Sequence, residues 1–208
     1  MHVSRDAIAL GIAGVFFGLL VGWIIGSQQG TGVAPQAAAT QATSGSTPSG
    51  SQQQAPQPLD ESRAAAMKSE AERNPNDPVI RVQLGNMYFD AERLPEAVQW
   101  YEAALKVNPK DVNASTDLGI AYYYMNQPDR ALAQFDRSLA IDPRHAKTLL
   151  NQGIVRAFGK QDLNGASASW EKVLQVAPDS EEARAAKQAL DGVRAAHQNL
   201  GAGSGTGR

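Results

Sequence analysis

Leu84-Gly85, Tyr88, Ala97, Tyr101 and Pro109 return 34 residues later as Leu118-Gly119, Tyr122, Ala131, Phe135 and Pro143. A recurrence of that length, with a proline closing each unit, is the pattern of stacked helix pairs, each burying its apolar face against its neighbours. It argues against an enzyme domain built around a single core.

Each repeated position has a physical reason. Two antiparallel helices approach closely only where a side chain is nearly absent, so Gly85 and Gly119 are expected opposite Ala97 and Ala131. Tyr88, Tyr101, Tyr122 and Phe135 then fill the spaces between successive pairs. Pro109, Pro143 and Pro178 end the second helices, because proline disfavours helical geometry in the residue before it and cannot extend the hydrogen-bond ladder. Asp77-Pro78 reads as an N-cap followed by proline at the first helical position, and Pro95 and Pro128 fit first turns. A third copy starts at Ala146 and keeps Gly153, Ala166, Trp170 and Pro178, but is one residue longer. The extra residue is assigned to the stretch from Lys160 to Asn164. Gln152 and Arg156 replace the Leu and Tyr of the earlier copies.

These residues resemble the tetratricopeptide repeat family, whose unit pairs an A helix carrying Leu-Gly-x-x-Tyr with a B helix carrying Ala, an aromatic, Ala and a closing Pro. Ser138 departs from the last of those alanines. The resemblance implies an all-α fold, a right-handed superhelical solenoid of about three helix-turn-helix repeats, concave on the A-helix side. The repeats span 78–111, 112–145 and 146–180. A capping helix is expected within 59–77, ending at Asn74-Pro75 like the B helices. A second is expected over 181–198, started by Asp179 with Glu182 as a capping box and carrying Ala183, Ala186, Leu190 and Val193 on one stripe. Residues 199–208 read as a flexible tail.

Ahead of the repeats, residues 7–26 run for 20 positions without a charge, about the length a helix needs to cross roughly 30 Å of hydrocarbon. The run exceeds the apolar core of a cleaved signal and lacks a small-x-small cleavage site, so it reads as a transmembrane signal anchor behind the short flank 1–6. Arg5 and the α-amino group against Asp6 leave a weak positive bias that puts the N-terminus inside. In a bacterial inner membrane the repeats are then periplasmic. Gly14, Gly18, Gly22 and Gly26 share one face of this helix at a spacing suited to self-association. Residues 27–58, made of Gln, Ala, Ser, Thr, Gly and Pro with few large apolar residues, read as a disordered tether.

Family members bind peptides or extended chains along the A-helix groove, and the resemblance transfers that lining by repeat position. In the first repeat it gives Val82, Asn86 and Phe89. In the second it gives Asn113, Asp117, Tyr123 and Tyr124, and in the third Lys147, Leu150, Asn151 and Phe158. One subfamily clamps a C-terminal carboxylate with Lys, Asn, Asn, Lys and Arg. The corresponding residues here are Val82, Asn86, Asp117, Lys147 and Asn151, and Asp117 would repel a carboxylate. Tyr122, Tyr123 and Tyr124 point about 100° apart on a helix, so they cannot all be buried alike.

Other functions find little support. The chain has no cysteine and three histidines, none of them paired at metal-ligand spacing, so neither a metal site nor a cofactor is expected, nor catalysis. Residues 59–197 carry 17 basic and 20 acidic side chains, net −3, with no basic block for nucleic acid. The expectation is a non-catalytic, membrane-tethered adaptor that binds a peptide or unfolded client segment, by analogy in envelope complex assembly or cytochrome maturation. The alternative is a self-assembling scaffold joined through the glycine face and repeat ends.

Overall fold

A computed structural model describes residues 58–203. The anchor 7–26 with its four glycines, the tether up to residue 57 and the last residues of the tail lie outside the described residues. Eight α-helices follow: α1 Glu61–Arg73, α2 Pro78–Asp90, α3 Leu94–Val107, α4 Val112–Tyr124, α5 Pro128–Ile141, α6 Ala146–Ile154, α7 Leu163–Val176 and α8 Glu181–Gly203. A π-helical turn, Val155–Gly159, extends α6. There is no strand among the described residues.

Aspartates start many of these helices by satisfying backbone N–H groups that have no intrahelical partner. Asp60 accepts from the Arg63 amide, Asp77 from Val79, Asp111 from Ala114 and Asp162 from Gly165. Asn74, Asn108 and Asp142 terminate α1, α3 and α5, each followed by proline. The turns between A and B helices place Glu92, Asn126 and Gln161 at φ near +57°, a left-handed conformation that reverses the chain at the cost of about 1 kcal/mol for a residue with a Cβ.

Those turns locate the inserted residue. Glu92 and Asn126 are 34 apart, Asn126 and Gln161 are 35 apart, and Gly119 and Gly153 keep the spacing of 34. The insertion therefore falls between Gly153 and Gln161, at the π turn Val155–Gly159 rather than in the stretch from Lys160 to Asn164 that the sequence suggested. There the Lys160 amide reaches back to the Val155 carbonyl at 3.1 Å. The helix widens by one residue and the turn geometry is kept.

Glycine has a different partner from the one expected. A Cβ on Gly85 would sit 2.5 Å from the Tyr101 ring, and one on Gly119 2.5 Å from the Phe135 ring. A Cβ on Gly153 would meet Trp170 Cδ1 at 2.6 Å. Each A-helix glycine is thus the floor for a B-helix ring, which stands nearer to it than Ala97 or Ala131 does. Tyr101, Phe135 and Trp170 are at most 1% exposed, and burying each ring contributes about 2–3 kcal/mol. Trp170 also donates its indole N–H to the Leu150 carbonyl at 3.2 Å.

At the far end α8 packs Ala183 and Ala186 against the last repeat and leaves Glu181, Arg184, Lys187 and Arg194 exposed. Its first turn is capped by Ser180, whose hydroxyl accepts from the Ala183 amide at 3.1 Å, one residue later than the Asp179 cap expected. Its helical span continues past residue 198 to Gly203. Among the described residues no helix is long and apolar enough to cross a membrane.

Candidate functional site

The A helices α2, α4 and α6 carry equivalent residues at fixed register, and α2 is more open than α4 and α6. Val82 is half-buried, whereas its counterparts Thr116 and Leu150 are both 0% exposed. Gln83 is exposed, Asp117 8% and Asn151 3% exposed. Asn86 is half-buried, with Ile120 and Ile154 in the core. Leu150 and Asn151 are therefore removed from the ligand lining that the repeat positions assigned them. Leu150 is core, and the Asn151 amide donates to the Lys147 carbonyl at 2.8 Å.

Polar residues between α4 and α6 satisfy one another. Lys147 Nζ lies 2.7 Å from Asp117 Oδ1, so the two charges expected to face a ligand are spent on each other. Thr116 Oγ1 donates to the Val112 carbonyl at 2.7 Å, leaving the Thr148 hydroxyl, 2.6 Å away, to donate to Thr116. His145 Nδ1 meets the Thr148 hydroxyl at 2.7 Å. His145 Nε2 faces Asn113 Oδ1 at 3.1 Å. Burial, with a smaller push from Lys147, lowers the His145 pKa despite nearby Asp142, Asp117 and Glu182.

Aromatic side chains occupy the C-terminal ends of the A helices. Phe89 and Tyr124 meet edge to face at 5.3 Å, joining repeats one and two, and Tyr123 meets Tyr124 at 6.1 Å. Tyr123 also lies over Gly159, where a Cβ would stand 3.3 Å from its ring, so this cluster reaches the third repeat. Tyr122 is buried, and Tyr123, Tyr124, Phe89 and Phe158 are half-buried. Burial, then the neighbouring Tyr123, pushes the Tyr124 hydroxyl up to about 12. Burial alone raises Tyr123. Asp90, at the end of α2, is raised first by burial and then by the Asp117 charge.

The register missed one partnership. The Tyr101 hydroxyl donates to Asn86 Oδ1 at 2.8 Å, bringing a B-helix group to the A-helix face. The next repeat has Phe135 and Ile120 at the same two positions. Where the ring gains a hydroxyl, the facing aliphatic becomes an amide, a paired change visible when the two copies are aligned. Of the assigned lining, the structure leaves Asn113 exposed and Val82, Asn86, Phe89, Tyr123, Tyr124, Lys147 and Phe158 half-buried, while Asp117 is nearly enclosed. Among the described residues no three His, Asp or Glu side chains are grouped to hold a metal ion.

This geometry has known counterparts. Residues 85–126 match the family described as TPR repeat, and residues 113–145 the family described as tetratricopeptide repeat. Segment 85–145 is therefore similar to tetratricopeptide repeats. No curated protein matches the chain. Among solved structures, the MamA protein is similar at TM-score 0.56 and 18% identity, over 67% of this chain and 76% of that one. The first TPR of Spaghetti (RPAP3), bound to HSP90 peptide SRMEEVD, is similar at TM-score 0.52 and 24% identity, over 60% of this chain and 93% of that one. The second TPR domain of human RPAP3, in complex with HSP70 peptide SGPTIEEVD, is similar at TM-score 0.50 and 19% identity, over 57% of this chain and 98% of that one. At these identities the likeness shows the fold.

Proposed function

We propose that this chain is a non-catalytic adaptor whose A-helix face binds a peptide or an unfolded client segment. The aromatic cluster of Phe89, Tyr123 and Tyr124, crossing repeats and only half-buried, is the observation that carries this reading. Such rings offer large contact area at small loss of conformational freedom, and Asn86 and Asn113 beside them can pair with a peptide backbone. Solved neighbours of the same fold hold peptides, which supports the choice of ligand class. The pairing of Lys147 with Asp117 disfavours capture of a C-terminal carboxylate.

In the fuller form of the proposal, residues 7–26 anchor the chain in a bacterial inner membrane, with the repeats periplasmic on the tether 27–58. A tethered domain of this kind suits assembly of envelope complexes or cytochrome maturation, where an extended segment must be held near the bilayer. Residues 7–26, uncharged over a membrane-spanning length, support the anchoring. The charged outer side of α8, exposed at Glu181, Arg184 and Lys187, weighs against open-ended stacking of repeats.

A displayed peptide library selected against the full chain tests the reading. Peptides enriched on the native protein are expected to lose at least about tenfold in affinity to a Phe89→Ser, Tyr124→Ser variant, since two aromatic anchors are removed. Enrichment that survives both changes would place binding elsewhere.

A further inference from the structure

The charges on the A helices do not cancel. From Pro78 to Gly159, α2, α4, α6 and the π turn carry five charged side chains: Arg81, Asp90, Asp117, Lys147 and Arg156. Arg81 is turned toward the front cap, donating to the carbonyls of Ala71, Asn74 and Asp77. Arg156 is turned toward α7, donating to the Gly165 carbonyl and to Ser169 Oγ at 2.9 Å. Lys147 and Asp117 neutralise each other at 2.7 Å. Asp90 is left: its carboxylate has neither ion pair nor hydrogen bond among the described residues, and it is exposed.

The surroundings of Asp90 suit a positive head group. Its chain neighbour Phe89 meets Tyr124 edge to face, and aromatic faces attract cations as well as apolar stems. The Asn86 oxygen is taken by Tyr101, while its amide N–H groups have no partner among the described residues and can donate to a peptide carbonyl.

Resting on the peptide-binding reading above, we infer that the A-helix face selects a cationic segment: an extended peptide whose lysine or arginine meets Asp90 while flanking apolar side chains lie on Phe89 and Tyr124. Arg81 and Arg156 have no ion pair either, but their hydrogen bonds hold them against the front cap and α7, leaving Asp90 as the one charge on these helices with no partner of any kind among the described residues. The face is therefore matched to a basic client. Asp90 is partly enclosed but still open to solvent, so the carboxylate gives preference more than raw affinity.

The test uses the full chain in detergent and three labelled eight-residue peptides of alternating leucine with lysine, glutamine or glutamate, followed by fluorescence anisotropy. The lysine peptide is expected to bind about fivefold tighter than the glutamine peptide, from one exposed charge contact, and the advantage should shrink as salt is added. Asp90→Asn removes the advantage, and Asp90→Lys turns the preference toward glutamate. Equal binding of all three peptides, or a lysine preference that survives Asp90→Asn, overturns the charge selection. If Tyr124→Ala then still weakens all three, the peptide-binding face stands and only its selectivity falls. If no peptide binds, or binding ignores Tyr124→Ala, both readings fall together.

Discussion

α2 and α6 are the same helix in the first and third copies of one repeat, yet α2 buries four residues while α6 buries seven in succession, Thr148 to Ile154. α2 packs mainly on α1 and α3, whereas α6 is surrounded by α4, α5, α7 and α8. The polar side chains of α6 can go inside because each has a partner: Thr148 with Thr116 and His145, Asn151 with the Lys147 carbonyl, Gln152 with Asp136 and Ser169. Repeat position thus sets which residues meet within a pair, and the number of neighbouring helices sets how much of the outer face stays open. α4, enclosed in the same way, is buried over nine residues in succession, Ala114 to Tyr122, so it is α2, in the front repeat, that keeps the most open face.

The largest test of this contrast is Trp170→Ala, which empties the ring site over Gly153 and leaves the Leu150 carbonyl without the indole. A loss of about 4 kcal/mol is expected in urea unfolding. A loss under about 1 kcal/mol would mean that the third repeat contributes little to the stack. Next is Gly119→Val, which drives a side chain into the Phe135 ring and should cost about 3 kcal/mol; an unchanged midpoint would contradict the glycine–ring packing.

Thr148→Val removes the centre of the buried hydroxyl chain and is expected to cost about 2 kcal/mol, whereas the reverse exchange at half-buried Val82 on the open helix, Val82→Thr, should change little. Smaller again is Tyr101→Phe, which strands the Asn86 amide at about 1 kcal/mol. Adding Asn86→Ile recreates the Phe135–Ile120 combination and should recover most of that loss in a double-mutant cycle. Additive losses would show that the two residues are not coupled.

A last effect appears only in alkali. The Tyr124 hydroxyl is raised to about 12 from an ordinary value of 10.0 because burial disfavours its anion. The stability this represents is complete below pH 10 and is lost as pH rises from 10 toward 12, when the unfolded chain releases its proton first. Tyrosinate absorbance of the folded chain should therefore rise late, and Tyr124→Phe should lessen the alkaline loss of Tm. An ordinary titration near pH 10 would contradict the burial.

Much of this was legible in the sequence. The spacing of Gly85, Gly119 and Gly153, the closing prolines and the aspartate caps follow from local backbone chemistry, which a single sequence carries. The partner of each glycine was not legible, because whether a ring or a methyl sits over it depends on the rotation of the facing helix. Nor was the π turn: the repeat length shows that one residue is added, but helix widening and loop lengthening leave the same count. The inward placement of Asn151 and Asp117 was hidden for another reason. Polar residues read as surface until their hydrogen-bond partners, here the Lys147 carbonyl and the Lys147 ammonium, are brought together by the fold.

The central claim is that partners dock on the A-helix side. It is tested most directly by photo-cross-linking the full chain in the cells that produce it, with probes at Tyr123 and Asn113 and control probes at Lys106 and Arg137 on the B helices. Asn113 is used because it is exposed where Asn151 is buried. The account predicts one partner captured from Tyr123 and Asn113 and absent from both controls. Equal capture from both sides, or capture only of a second copy of the chain, would contradict it.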